Sequence, residues 1–450
     1  MTLIARFAAC VLLALPMPLW AQDEEPLPAA APLPAARVIE VPQQTFEVAD
    51  EETGETTRVE NPVPLKPLGF LPGSGRAYLL FNRYGAGLEM LSLPDSYRSV
   101  KHESLISLQS VTEVGGIRAI PFAALAATVN GQTVDLASQP VWREVEAGVF
   151  ECFIDDPDGS PLLKITRTFR LKPDDQYGFT LTNTVENLSA RAVTVSLSQT
   201  GPIDLPKPEN SYGGDHRRVR FGYLLPVERQ SSDTTVLVDD DLKSRKSILG
   251  SKVESGAGKV YPAVNPVWPN EQAAENGHRL SWLAMTDRYF AVAAHPVFDP
   301  GSVAQPEDKL FDGAASIDRL ILNPASAQPD TIMVLRLNGE QLALAPGETA
   351  STELGVYAGP MSRPSMRRDP LLVSLRVPEM VVYSMGGICA PCTFQWLTGG
   401  LMSVLRLFHS FTGDWAVAIM LLVVLVRGCL HPVTRWSQIR MQKFGVQMQA

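Results

Sequence analysis

One arginine stands inside an apolar run: Arg427 is flanked by the twelve uncharged residues 415–426 on one side and by Gly428 to Thr434 on the other. An ionisable side chain inside a membrane-crossing stretch faces a protein interior or an aqueous cavity, where it can meet polar or anionic groups. The competing explanation is that its long stem carries the charge up to the headgroups. Its depth within the apolar window favours the first, so the chemistry expected of Arg427 is binding and not bond-making.

Three other groups have side chains capable of chemistry. Cys389-Ala390-Pro391-Cys392 has the spacing of a dithiol motif. No βαβ pattern surrounds it, so a structural disulfide or two plain thiols are expected ahead of redox catalysis. His295 lies in the strand-like run Phe290 to Pro296 and reads as a packed strand histidine. His216, Arg217, Arg218 and Arg220 form a basic cluster in a stretch rich in Pro and Gly, read as a solvated loop ahead of an anion site. No catalytic residue, metal ligand or cofactor site is predicted.

The elements that position these residues follow from composition and period. The 450 residues allow two or three domains, and 45% apolar content allows a sizeable core. A net charge of −9 argues against nucleic acid as the main partner. Residues 1–21 read as an export segment, either a cleaved signal peptide or an N-terminal membrane anchor, with Arg6 before the apolar stretch Phe7 to Trp20. Residues 22–66 are rich in Pro, Ala and Glu and read as a disordered linker.

From 67 to 360 the period is two. Leu163, Ile165, Phe169 and Leu171 alternate with Lys164, Thr166, Thr168 and Arg170, and similar runs follow at Phe179 to Val185 and Val193 to Leu197. Turn clusters such as Asp155-Asp156-Pro157-Asp158-Gly159 separate them. Short alternating runs bounded by such clusters are antiparallel strands with one buried face, so the fold class is mainly β, a large β-sandwich. Residues 361–413 form a connector containing an amphipathic helix, with Phe394, Leu397, Leu401, Val404, Leu405 and Phe408 on one side. Its place before an apolar segment suggests that it lies in a bilayer interface.

Residues 414–434 read as a transmembrane helix. Its ten Leu, Ile or Val residues favour insertion by roughly 3 to 6 kcal/mol, and a central arginine opposes it by about 2.5 to 3.5 kcal/mol. Insertion wins narrowly. Arg435, Arg440 and Lys443 follow the span and Asp414 precedes it, which puts residues 435–450 in the cytoplasm and the β-domain on the exported side.

Several stretches taken in order resemble one family. His409-Ser410-Phe411-Thr412-Gly413-Asp414-Trp415 with Val426-Arg427-Gly428-Cys429-Leu430-His431-Pro432-Val433-Thr434 resembles the first core transmembrane helix of the YidC insertases. Ser281-Trp282-Leu283-Ala284-Met285 with Tyr289-Phe290, Tyr357-Ala358-Gly359-Pro360, Asn82-Arg83-Tyr84-Gly85-Ala86-Gly87 and the stretch Thr168 to Asn187 resemble that family's periplasmic domain. The resemblance implies a periplasmic β-supersandwich, related in fold to mutarotase-like sandwiches, then an interfacial helix and a helical core. It implies a non-enzymatic insertase and chaperone of the bacterial inner membrane, without nucleotide or metal, with most of this chain in the periplasm. Implied partners are nascent membrane proteins, the lipid bilayer, the Sec translocon and the ribosome, and Arg427 would line a hydrophilic groove that receives polar parts of clients. The family continues through four further spans, so this chain is expected to be a fragment. Met385 to Cys392 matches no pattern of the family. The rival expectation is a membrane-anchored carbohydrate-binding or mutarotase-like sandwich, which leaves Arg427 without a role.

The charge bias makes a direct prediction. A cysteine placed at position 440 should react with membrane-impermeant reagent only after the cytoplasmic face is opened, and labelling of intact cells from the periplasm would reverse the orientation.

Overall fold

The computed structural model describes residues 33–49, 56–69, 77–98, 101–114, 116–172, 177–207, 217–225, 236–238, 263–269, 271, 275–299, 314–322, 331–381 and 395–447. The export segment, His216, Cys389 and Cys392 lie outside them.

Period two becomes strand where it was read. In Pro161–Leu171, Leu163, Ile165 and Phe169 are buried while Lys164, Thr166 and Thr168 stay partly exposed. Among the described residues the larger sheet has ten strands. Nine lie in the order Ala35–Ala36, Val149–Asp155, Pro161–Leu171, Gly178–Asn187, Thr349–Pro360, Phe290–Pro296, Arg279–Thr286, Arg218–Leu224 and Val236–Val238, and Arg143–Glu146 also pairs with Val149–Asp155. A second sheet runs Gln132–Asp135, Ala124–Val129, Val193–Ile203, Ile332–Gly339, Ala314–Leu322 and Ala263–Trp268, with Leu342–Leu344 on Val193–Ile203. Neighbouring strands are antiparallel in both. The chain is a mainly β sandwich followed by two long helices.

The sandwich closes on aromatic side chains. The rings of Phe81, Phe150 and Phe169 meet at centroid distances of 5.1 to 6.4 Å, and Trp142, Trp282, Phe122 and Phe179 are also fully buried. Arg167 falls in phase with Leu163, Ile165 and Phe169 and is buried with them. Its Nη2 donates to the Phe122 carbonyl (2.6 Å) and its Nη1 to Gln199 Oε1 on the second sheet (3.1 Å). Burial pushes its pKa down to about 9. A buried cation is tolerated only where hydrogen bonds replace its water, and the one to Gln199 also ties sheet to sheet.

Two expectations differ from the structure. Within 22–66, expected as a disordered linker, the described residues hold strands. Ala35 and Ala36 pair with Asp155 and Ile154, Arg37 bridges to Asp155 at 2.6 Å, and Gln43–Ala49 forms a hairpin with Thr56–Pro62. The proline count hid a short β-branched alternation, Thr45-Phe46-Glu47-Val48 against Thr57-Arg58-Val59-Glu60. Arg217, Arg218 and Arg220 do not lie in a solvated loop. They open the strand Arg218–Leu224, with Arg217 and Arg220 buried. That strand is covered on both faces, so its sequence shows no alternation.

The connector belongs to the sandwich up to Val381. Two short helices, α1 (Arg363–Met366) and α2 (Pro370–Ser374), and a 3-10 turn at Val377–Met380 bury Met366, Leu371, Leu372, Leu375, Val377 and Met380 in the domain core. Polar contacts fix this packing. Arg220 Nη1 donates to the Met380 carbonyl (2.5 Å), Ser281 Oγ to the Leu375 carbonyl (2.8 Å), and Lys172 pairs with Asp369 (2.6 Å). Burial, the largest single influence, would raise the pKa of Asp369, but the hydrogen bond and charge of Lys172 together with the Leu371 N–H outweigh it and hold the carboxyl below its ordinary range.

Gly222 is a place where the fold admits no side chain. A Cβ there would lie 2.0 Å from Cε2 of the buried Trp282. Gly222→Ala should destabilise the domain by about 1–3 kcal/mol through overpacking. Chemical unfolding of the chain in detergent should show the loss, and an unchanged midpoint would mean that this strand does not press on Trp282.

Candidate functional site around Arg427

Beyond residue 394 the chain continues as α3 (Gln395–Thr412) and α4 (Trp415–Gln447). The join between them is built from local signals. Gly413 takes a left-handed backbone (φ +67°) and its N–H donates to the His409 carbonyl (2.8 Å), ending α3. Asp414 then caps α4: its Oδ1 accepts from the N–H of Ala416 (2.6 Å) and Val417 (3.3 Å). The His409 imidazole stacks on the Trp415 indole at 3.8 Å, and Ala418 is fully covered where the two helices meet.

Along α3, Leu401, Val404, Leu405 and Phe408 follow the three- and four-residue spacing of one face, and Ser403 and Arg406 fall outside it. The stretch Trp415–Trp436, 22 residues, is long and apolar enough to cross a bilayer. At 1.5 Å per residue it spans about 33 Å, against a hydrocarbon thickness of about 30 Å. Trp415 and Trp436, both more than half exposed, mark its two ends as interfacial aromatics do. Between them Ile419, Met420, Val423, Val424 and Leu425 are exposed, a surface suited to lipid and not to water.

Arg427 is exposed on this helix, and no described side chain pairs with it. It lies roughly 18 Å along the axis from Trp415 and roughly 13 Å from Trp436. That is farther from either end than an arginine stem readily reaches. It is also not isolated. Arg427, His431, Thr434 and Gln438 follow i, i+4, i+7 and i+11 spacing and are all exposed. On a helix these four fall within about 60° of arc, one polar stripe. Pro432 has no N–H for the Gly428 carbonyl, which takes the usual helical donor from an acceptor one residue from Arg427. Thr434 Oγ1 turns back to the carbonyls of Leu430 (3.2 Å) and His431 (2.9 Å). Reading the sequence for isolated charge found Arg427 and missed the other three. The heptad-like spacing of polar residues was the signal that could have found them.

His295 is placed elsewhere and packs as the sequence suggested. Its ring is buried against Gly355, its Nδ1 lies 2.8 Å from the Pro296 carbonyl, and burial, reinforced by the Lys172 cation, pushes its pKa down to about 4.

Residues 154–377 match the YidC periplasmic domain. This chain carries a YidC periplasmic domain. Several of the stretches that resembled this family's periplasmic domain meet in the larger sheet: Leu283 pairs with Ala294, Phe290 with Pro360 and Ala291 with Gly359, whereas Asn82 and Gly87 pair in a separate three-stranded sheet. The chain is similar to "Membrane protein insertase YidC" of Burkholderia ambifaria (strain MC40-6), 27% identical over 183 residues, covering 40% of this chain and 27% of that protein. It is 32% identical over 166 residues to the protein of the same name from Xanthomonas oryzae pv. oryzae (strain PXO99A), covering 36% and 24%. The matched stretch thus spans about a quarter of the length of these relatives. Among solved structures, a galactose mutarotase related enzyme from Lactobacillus acidophilus is 10% identical, with 65% of this chain and 97% of that one covered and a TM-score of 0.36, too low to carry an argument.

The cap on α4 is testable. Asp414→Ala should cost about 1 kcal/mol of helix-start stability and speed hydrogen exchange at the Ala416 and Val417 amides. Unchanged exchange at both would remove Asp414 as the cap.

Proposed function

We propose that this chain is the periplasmic and membrane-entry part of a membrane protein insertase, with the stripe headed by Arg427 as a surface met by polar parts of clients in transit. The observation that supports this reading most strongly is a cation at depth in an otherwise apolar helix, in a chain that carries a YidC periplasmic domain. A guanidinium held away from bulk water lowers the cost of bringing an acidic segment into the membrane, because the attraction is strong where the dielectric is low. His431, Thr434 and Gln438 would extend that polar path toward the C-terminal, cytoplasmic end.

In this reading 1–21 directs export, the sandwich is periplasmic, α3 lies in the interface and Trp415–Trp436 spans the inner membrane. Nascent membrane proteins and lipid are the partners, and work beside the Sec translocon and the ribosome, with a chaperone role in folding, belongs to the same proposal. The action is binding and release, with no covalent step. A mutarotase-like activity finds no support in His295, which is sealed between strands and held neutral.

Client insertion should be measured at matched expression in the full-length gene product. Arg427→Ala should impair clients with acidic translocated regions, and Arg427→Lys should retain part of the activity, since charge survives while the bidentate geometry is lost. Removing the charge also eases insertion of the span itself by at most about 3.5 kcal/mol, so lost activity with normal membrane assembly separates function from folding. Equal activity for Ala, Gln and Lys variants would mean that Arg427 only reaches for headgroups.

A further inference from the structure

The outward face of the connector carries an uncompensated positive charge. Of the four arginines between 361 and 381, Arg363 pairs with Glu379 (3.6 Å) and donates to the Val381 carbonyl (3.1 Å). The other acid there, Asp369, is taken by Lys172. Arg367, Arg368 and Arg376 remain, all exposed.

Their direction follows from what is buried. In α2 and the residue after it, Leu371, Leu372 and Leu375 face the core, which turns Pro370, Val373 and Arg376 outward. Met366 faces the core as well, and Arg367 and Arg368 follow it on the exposed side. At the start of the connector stands Tyr289, 65% exposed, whose carbonyl accepts from the Met361 N–H (2.6 Å). Val373 is 38% exposed within the same face. Three arginines, a tyrosine and a valine held outward on a rigid support make an amphipathic surface in a chain whose net charge is −9.

Topology signalling does not account for these arginines. Charges orient a span when they lie within about 15–20 residues of its ends, and Arg376 precedes Trp415 by 39 positions. The position of the face along the chain gives a better reason. Only the thirteen residues 382–394 separate Val381 from α3, and that length extends over at most roughly 50 Å. A domain tethered so briefly at this end keeps the face within reach of the bilayer on which α3 is proposed to lie. We propose that Arg367, Arg368 and Arg376, with Tyr289 and Val373, form a docking surface for anionic phospholipid headgroups, fixing the sandwich against the outer surface of the membrane it is anchored in. This rests on the reading of Trp415–Trp436 as a span. The arginines would pair with phosphate oxygens, and Tyr289 would occupy the depth that amphipathic rings prefer. Each basic residue near an anionic surface shifts the docked-to-free ratio about fivefold, and all three together about a hundredfold.

The test uses the full chain reconstituted in vesicles, with a fluorophore at position 373 and a quencher on the lipid headgroup. Vesicles of phosphatidylcholine with about a third phosphatidylglycerol should quench the fluorophore, and pure phosphatidylcholine should do so far less, because the attraction needs anionic lipid. Arg367→Gln, Arg368→Gln and Arg376→Gln together should abolish the difference, the three corresponding lysine variants should preserve it, and molar salt should weaken it. Near-ultraviolet circular dichroism should be the same for all variants, since the three positions are on the surface. Quenching that is equal in both lipids, or absent in both from protein that resists carbonate extraction, overturns the docking surface while leaving the span intact; an acidic protein partner for this face would give the second pattern. Protein that is extracted by carbonate overturns the span and the docking surface together.

Discussion

The strand Thr349–Pro360 holds the larger sheet together. On one side it pairs with Gly178–Asn187 from Glu186↔Thr349 to Gly178↔Tyr357, and on the other its second half pairs with Phe290–Pro296. Everything in that sheet before residue 190 lies to one side of it and everything between 218 and 296 lies to the other. Its buried half, Leu354 to Gly359, leaves little room: His295 and Tyr177 press on Gly355 and Gly359, where any Cβ would fall within 2.6 Å of a ring atom. The same strand runs directly into the connector, so the pairing that unites the sheet also fixes where the chain leaves it.

From Gln395 on, the surface chemistry of the chain changes. Up to Val381 apolar side chains are covered by one another, and buried polar groups such as Arg167 and Arg220 are met by carbonyls and amides. In α4 the order is inverted, with valine and leucine outward and, among the described side chains, only Ala418 fully covered. Such a surface is stable where hydrocarbon replaces water, and it makes a lone polar stripe conspicuous. The sandwich gives the chain a rigid body, and the helix gives it a place to expose charge where charge is scarce.

Much of this was legible in residues alone. The alternating runs at 163–171, 179–185 and 193–197 became strands because each has one face in the core and one outside. His295 was rightly read as packing. Three things were hidden for definite reasons. Arg167 shares the phase of the buried residues around it, but its charge makes the position look like surface. Arg217 and Arg220 lie on a strand covered on both sides, which erases alternation. The polar stripe was missed because His431, Thr434 and Gln438 are each ordinary and acquire meaning only by their common direction with Arg427.

The central strand is also nearly the last part of the sandwich to be made. Gly178 must wait for Tyr357, 179 residues later, before its ladder can form. Until then the growing chain presents two half-sheets with open edges, the kind of surface that pairs with wrong partners and slows folding. A domain wired in this way cannot fold piece by piece as its chain emerges. It closes in one late step, when its final strand has been made and the connector behind it is about to follow, so the timing of folding is tied to the moment at which the two long helices come due.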